Sequence, residues 1–181
     1  PPVLAPAILA DNSSVGNFFN FIGDNAEVEI HDLYLLGVRA DNTRLGWSTG
    51  LQLSANYISL KLRGVIFEAW SNNGVSNGGQ WNKLDIQDCY FKNLQHTGAW
   101  FGGQPIMSGA PIAVDTQRVV NNTFFCNNSY LWSIRGLDTH SVFEHNTIVY
   151  GVVNPLLIRQ ASNIHMKNNL WYAAHAFGGN P

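Results

Sequence analysis

The sequence predicts an all-β fold: a parallel β-helix, or solenoid, of about six turns with about three short strands per turn and loop insertions between them. Three observations predict it. One short pattern returns along most of the chain, the periodic segments alternate apolar and polar residues, and Asn or Gly interrupts every window of about ten residues.

The pattern is clearest at residues 142–149, Val-Phe-Glu-His-Asn-Thr-Ile-Val. It recurs at 118–125, 164–171 and 84–91, with fainter copies at 28–35 and 60–67. Each copy has apolar residues, one Asn, Asp or Gly, and then two or three apolar or aromatic residues. The anchors are Asp32, Gly64, Asp88, Asn122, Asn146 and Asn168, separated by 32, 24, 34, 24 and 22 residues. A minimum spacing with occasional long excursions means one unit per turn, with insertions placed in loops. At a sharp bend between strands the backbone enters the left-handed region, which Gly reaches freely and Asn or Asp at modest cost. Stacked Asn side chains can also satisfy the polar backbone that a bend buries. Asn122, Asn146 and Asn168 are therefore expected to form a structural ladder that Asp88 and Asp32 continue, with Asn169 the alternative to Asn168 in the last copy. Asn146 is read as the bend and His145 as an ordinary neighbour.

Taken in order, residues 1–27 are expected to form a partial first turn or a cover, since three prolines among the first six exclude a regular helix. Residues 28–38 hold the first strand pair. In 50–62, Leu51, Leu53, Ile58, Leu60 and Leu62 alternate as in a half-buried strand, with a bend at 54–56. Similar early strands precede later anchors at Trp132-Ser133-Ile134-Arg135 and Leu156-Leu157-Ile158-Arg159. Insertions at 71–80 and 94–110 are turn-rich, and the second carries His96, Trp100, Phe101 and Met107. No linker divides the chain, so 1–181 reads as a single domain with repeats over about 28–171. Neither end resembles a capping helix, which points to a processed product or a segment of a longer chain.

Composition narrows the function classes. Hydrophobic residues make up 45% and charged residues only 12%, with a formal net charge of -2. That balance excludes a disordered chain and a nucleic-acid groove, and no apolar run is long enough for a membrane span. The weakly charged polar surface suits an extracellular or cell-surface protein. Cys89 and Cys126 read as two buried small side chains, or as one bridge between neighbouring turns.

The Asn-Asn-Thr-Phe, His-Asn-Thr-Ile and Asn-Asn-Leu-Trp steps resemble the right-handed parallel β-helix repeat of the pectate-lyase-like superfamily, over roughly 28–171. The resemblance implies a right-handed coil, as does the general rule for parallel crossovers. It leaves function open, because that superfamily includes polysaccharide lyases, hydrolases, epimerases, tailspikes, adhesins and non-catalytic assembly proteins.

For lyase chemistry the catalytic candidates are Arg135 and Arg159, which follow the apolar residues of two early strands and are expected to stack on one outer face. Asp138 and His140 lie near Arg135 in sequence. An arginine base would act beside Ca²⁺ neutralising a substrate carboxylate, but no aspartate cluster of the Ca²⁺ kind accompanies the pair. The dispersed acids give no hydrolase pair, and the histidines give no metal set. Tyr34, Tyr90 and Phe124 are expected to stack as a core column. Trp100, Phe101, Trp132 and Trp171 are candidate binding platforms for a polysaccharide or another subunit.

Two readings follow. The first is a non-catalytic extracellular module with a structural, adhesive or self-assembly role of filament or surface-layer type, needing no cofactor. Its partner is another copy or a neighbouring part of a longer chain. The alternative is a carbohydrate-active enzyme of the polysaccharide-lyase type acting on an acidic glycan.

Overall fold

A computed structural model describes residues 7–9, 17–37, 49–53, 56–68, 74–77, 81–92, 97–99, 116–126, 130–135, 140–150, 156–159 and 163–173. Among them there are nineteen strands and no helix. The first are β1 (Ala7–Leu9), β2 (Asn17–Phe21), β3 (Glu27–His31), β4 (Tyr34–Leu36), β5 (Thr49–Leu53), β6 (Ile58–Arg63) and β7 (Ile66–Glu68). Next come β8 (Val75–Asn77), β9 (Trp81–Gln87), β10 (Tyr90–Lys92), β11 (Thr97–Ala99), β12 (Thr116–Val120) and β13 (Thr123–Cys126). The last are β14 (Tyr130–Arg135), β15 (His140–Glu144), β16 (Thr147–Tyr150), β17 (Leu156–Arg159), β18 (Ile164–Lys167) and β19 (Leu170–Ala173).

Every strand pairing is parallel and joins a strand to the third one after it in the chain, with no such pairing between β8 and β11. A seven-stranded sheet runs β1-β4-β7-β10-β13-β16-β19, and a six-stranded sheet runs β3-β6-β9-β12-β15-β18. Two three-stranded sheets, β2-β5-β8 and β11-β14-β17, complete the set. This order is compatible with a parallel β-helix, in which the chain visits three faces in turn and returns to the first about 4.8 Å further along. Residues 1–27 contribute β1, β2 and the start of β3 to these sheets.

Strand parity builds the core. In β6, Ile58, Leu60 and Leu62 are buried while Ser59, Lys61 and Arg63 are not. Register then aligns like with like: Leu35, Phe67, Phe91, Phe124 and Ile148 form one fully buried column on the seven-stranded sheet. The Phe67 and Phe91 rings stack at 4.9 Å, and Phe91 and Phe124 at 5.0 Å. Such pairs add about 0.5–1.5 kcal/mol beyond the area they bury. Only Phe124 of the expected aromatic column belongs here. Tyr34 and Tyr90 lie one residue earlier, in register with Ile66, and are half-buried. The first strand residue after the bend has outward parity, so the Tyr34 hydroxyl donates to Glu68 Oε2 at 2.5 Å. Burial, reinforced by that carboxylate, pushes the Tyr34 hydroxyl up to about 12.

The single anchor column divides into two. Asp32, Gly64, Asp88, Asn121, His145 and Asn168 take the left-handed bend, with φ between 49° and 62°. The residue after each bend turns inward: Leu33, Val65, Cys89, Asn122, Asn146 and Asn169. Asp32, Gly64, Asp88 and Asn168 thus mark the bend, whereas Asn122 and Asn146 belong to the inner column. The ladder's last rung is Asn169, not Asn168. The roles given to His145 and Asn146 are reversed, because the buried amide is needed where backbone groups are buried and a solvated His tolerates the exposed bend.

The amides form a directional chain. Asn122 Nδ2 donates to Asn146 Oδ1 at 3.1 Å and to Ile86 O at 3.0 Å. Asn146 Nδ2 donates to Asn169 Oδ1 at 3.0 Å and to Val119 O at 3.0 Å. The backbone N–H groups of Cys89, Asn122 and Asn146 each donate to the next Oδ1 at 2.9 Å. Asp88 and Asp32 do not continue this ladder; they occupy the bend column, where Asn121 Nδ2 donates to Asp88 Oδ1 at 2.5 Å. Cys89 is a free, buried thiol in the inner column, so it is not bridged to Cys126. Burial pushes the thiol up to about 12. The Cys126 side chain lies outside the described residues.

Candidate functional site

The outward residues of the six-stranded sheet gather most of the described charge. Register sets Glu29, Lys61, Asp85, Arg118, Val142 and His165 in one column. Beside it run His31, Arg63, Gln87, Val120, Glu144 and Lys167. Outward parity and parallel register alone put these side chains on adjacent rungs, close enough for cross-strand pairing.

Asp85 is the centre of the described network. Arg63 Nη2 donates to Asp85 Oδ2 at 2.5 Å, and Gln87 Nε2 donates to Asp85 Oδ1 at 2.9 Å. Arg118 Nη1 lies 3.7 Å from Asp85 Oδ1. Arg63 Nη1 also donates to Leu62 O at 2.9 Å and to Asp85 O at 3.3 Å. At the sheet edge Glu29 pairs with Lys61 and, at 2.8 Å, with His31 Nε2. The hydrogen bond from Lys61, against some opposing desolvation, holds the Glu29 carboxyl below its usual range. On the seven-stranded sheet Lys92 Nζ meets Glu68 Oε1 at 2.8 Å, and that bond raises the Lys92 ammonium.

Chemically this surface ties neighbouring parallel strands together. Asp85 is engaged by three neighbours and is not a free base, and pairs this exposed contribute about 0–1 kcal/mol each. Among the described residues no group of three or more His, Cys, Asp or Glu is arranged to hold a metal ion. No helix among them is long and apolar enough to cross a membrane.

The residues singled out from the sequence are spread over different faces. Arg135 and Arg159 are register partners on β14 and β17; their side chains lie outside the described residues. His140 begins β15 on a different sheet, exposed and in register with Thr116. Asp138, Trp100 and Phe101 lie outside the described residues. Trp132 is in β14, in register with Ala99 and Leu156, and its side chain is likewise not described. Trp171 continues the inner column below Ile148, with its ring 6.1 Å from that of Phe143. It is 41% exposed although its parity is inward, because β19 is the end strand of its sheet among the described residues.

Sequence reasoning missed Asp85 and the column around it. The signal was present, since Glu29, Lys61 and Asp85 occupy the same place in three copies. Placing Asn122 and Asn146 on the bend slipped the next two copies by one residue, which put inward Val119 where Arg118 belongs. Comparison with known proteins found no matching family model, no matching curated protein and no matching solved structure.

Proposed function

We propose that the chain is a right-handed parallel β-helix of the pectate-lyase-like kind, serving as a non-catalytic extracellular structural module that associates with itself. The repeat steps and the three-strand interval of every parallel pairing support the fold. The crossover rule supports the hand. One observation carries the role: among the described residues, the inward side chains at the C-terminal end of the stack are open. Met166 and Trp171 are 43% and 41% exposed, whereas their counterparts one coil earlier, Phe143 and Ile148, are fully buried. Apolar inner side chains beside unpaired strand edges are a template for further strands.

Sedimentation velocity over a concentration series, with electron microscopy of the most concentrated samples, tests this. The expected result is a mass that grows with concentration and regular assemblies. A chain that stays monomeric at high concentration under several salt conditions contradicts it.

The register pairing of Arg135 with Arg159 favours a second reading, a lyase acting on an acidic polysaccharide with Ca²⁺. Its mark is unsaturated-uronide absorbance that disappears on joint Arg135→Ala and Arg159→Ala substitution. No absorbance on any acidic glycan rules it out.

A further inference from the structure

From β2 onward the strands follow one another in triplets, one from each face, and one junction between triplets differs from the rest. Between β8, β9, β10 and β11, β12, β13 only two pairings are made, β9 with β12 and β10 with β13. Strands β8 and β11 lie beside each other without pairing, so the two three-stranded sheets end there. The same junction carries a buried amide with nothing to bond. In the inward column Gln117 follows Leu84 across it, fully buried, and neither atom of its amide has a hydrogen-bond partner among the described residues. The ion pair that crosses the junction is also the looser one at Asp85: Arg118 stands at 3.7 Å, against 2.5 Å for Arg63 on the near side.

The weak and the strong points lie at opposite ends of the same strands. Chain order gives β9 and β12 one end toward β8 and β11 and the other at the left-handed bends of Asp88 and Asn121. Gln117 is the second residue of β12, on the β11 side. At the bend the junction is tied firmly. Asn122 Nδ2 donates to Ile86 O at 3.0 Å, the Cys89 N–H donates to Asn122 Oδ1 at 2.9 Å, and the Phe91 and Phe124 rings stack at 5.0 Å. We propose that this junction is a hinge: the triplets on either side tilt apart from the β8–β11 side about the bends at Asp88 and Asn121. In the tilted minor state the Gln117 amide meets water. A buried amide without a partner has lost its hydration for nothing, and tilting restores it. At the other junctions a third strand pairing must break first, so the tilted state lies nearest to the closed one here. The hinge does not depend on self-association.

Residue-resolved amide hydrogen exchange of the full chain tests this in wild type and Gln117→Leu, at dilutions where the rates no longer change with concentration. The expected result is exchange about tenfold faster for amides that cross between β9 and β12 near Gln117 than for those at the same places between β6 and β9 or between β12 and β15. The Asp88 N–H, which donates to Val120 O beside the bend, stays slow. Gln117→Leu removes most of the difference between junctions. If that variant does not fold, Gln117→Met carries the same test. Equal rates at the three junctions in wild type, or a difference that survives in the folded variant, overturns the hinge. Fast exchange at Asp88 as well means that the whole junction separates, and overturns it too.

Discussion

The inner column behind the bends differs between the two halves of the stack. In the first half it holds Leu33, Val65 and Cys89, and in the second Asn122, Asn146 and Asn169. The backbone is alike in both, with left-handed residues at each bend. The left-handed residue thus makes the turn, and the residue behind it is free to be apolar or amide. An amide there is committed, because its oxygen and nitrogen must both be paired once water is excluded. The halves differ likewise on the six-stranded sheet, where Val28, Leu60 and Leu84 are followed by Gln117 and Ser141 in the same inward column. The second half carries polar groups inside, and its stability depends on their being satisfied.

The largest effect is expected at Asn146. Its Oδ1 accepts from both Asn122 N–H and Asn122 Nδ2, and its own amide serves Val119 O. Removing it orphans several buried groups at once, so Asn146→Ala should cost about 3–4 kcal/mol in urea unfolding. A loss of less than about 1 kcal/mol would put the two halves on the same footing. Gln117 is fully buried, and neither atom of its amide has a hydrogen-bond partner among the described residues. Gln117→Leu is accordingly expected to raise stability by about 1–2 kcal/mol, and a decrease would mean the amide is paired.

A third substitution converts one half toward the other. Asn at position 89 would stand between Val65 N–H and Asn122, so Cys89→Asn should extend the ladder by one rung and leave stability within about 1 kcal/mol of wild type. Cys89→Leu, which offers no acceptor, should fall below it in the same melts. The smallest effect concerns the charged edge. The folded-state carboxyl of Glu29 is depressed, so its contribution is present above the ordinary carboxylate value of 4.5 and is lost as pH falls through the lower folded value. Glu29→Gln should flatten that acid limb of the pH–stability curve, with a small loss of stability at neutral pH that vanishes at low pH.

Much of the fold was legible in the sequence because strand parity and bend chemistry are local. Alternation in 58–63 marks Leu60 and Leu62 as inward, and Asp32, Gly64, Asp88 and Asn168 mark bends through their tolerance of positive φ. The slip at Asn121-Asn122 and His145-Asn146 has a physical origin. Asn serves equally well as a left-handed residue and as a buried ladder amide, so type alone does not tell which of two adjacent positions turns the chain. With a period of two, one residue of error exchanges the faces. That exchange placed Tyr34 and Tyr90 with Phe124 and hid the alignment of Arg118 with Asp85. Ion pairs between coils are less legible still, because they join residues one whole turn apart whose spacing varies with each insertion.

The central claim, that the apolar C-terminal end of the described stack associates with another copy, is tested most directly by amide hydrogen exchange in dilute and concentrated protein. The account predicts that β18 gains protection with concentration while β9 and β12, already paired on both sides, do not change. Equal exchange at β18 in dilute and concentrated samples would contradict it.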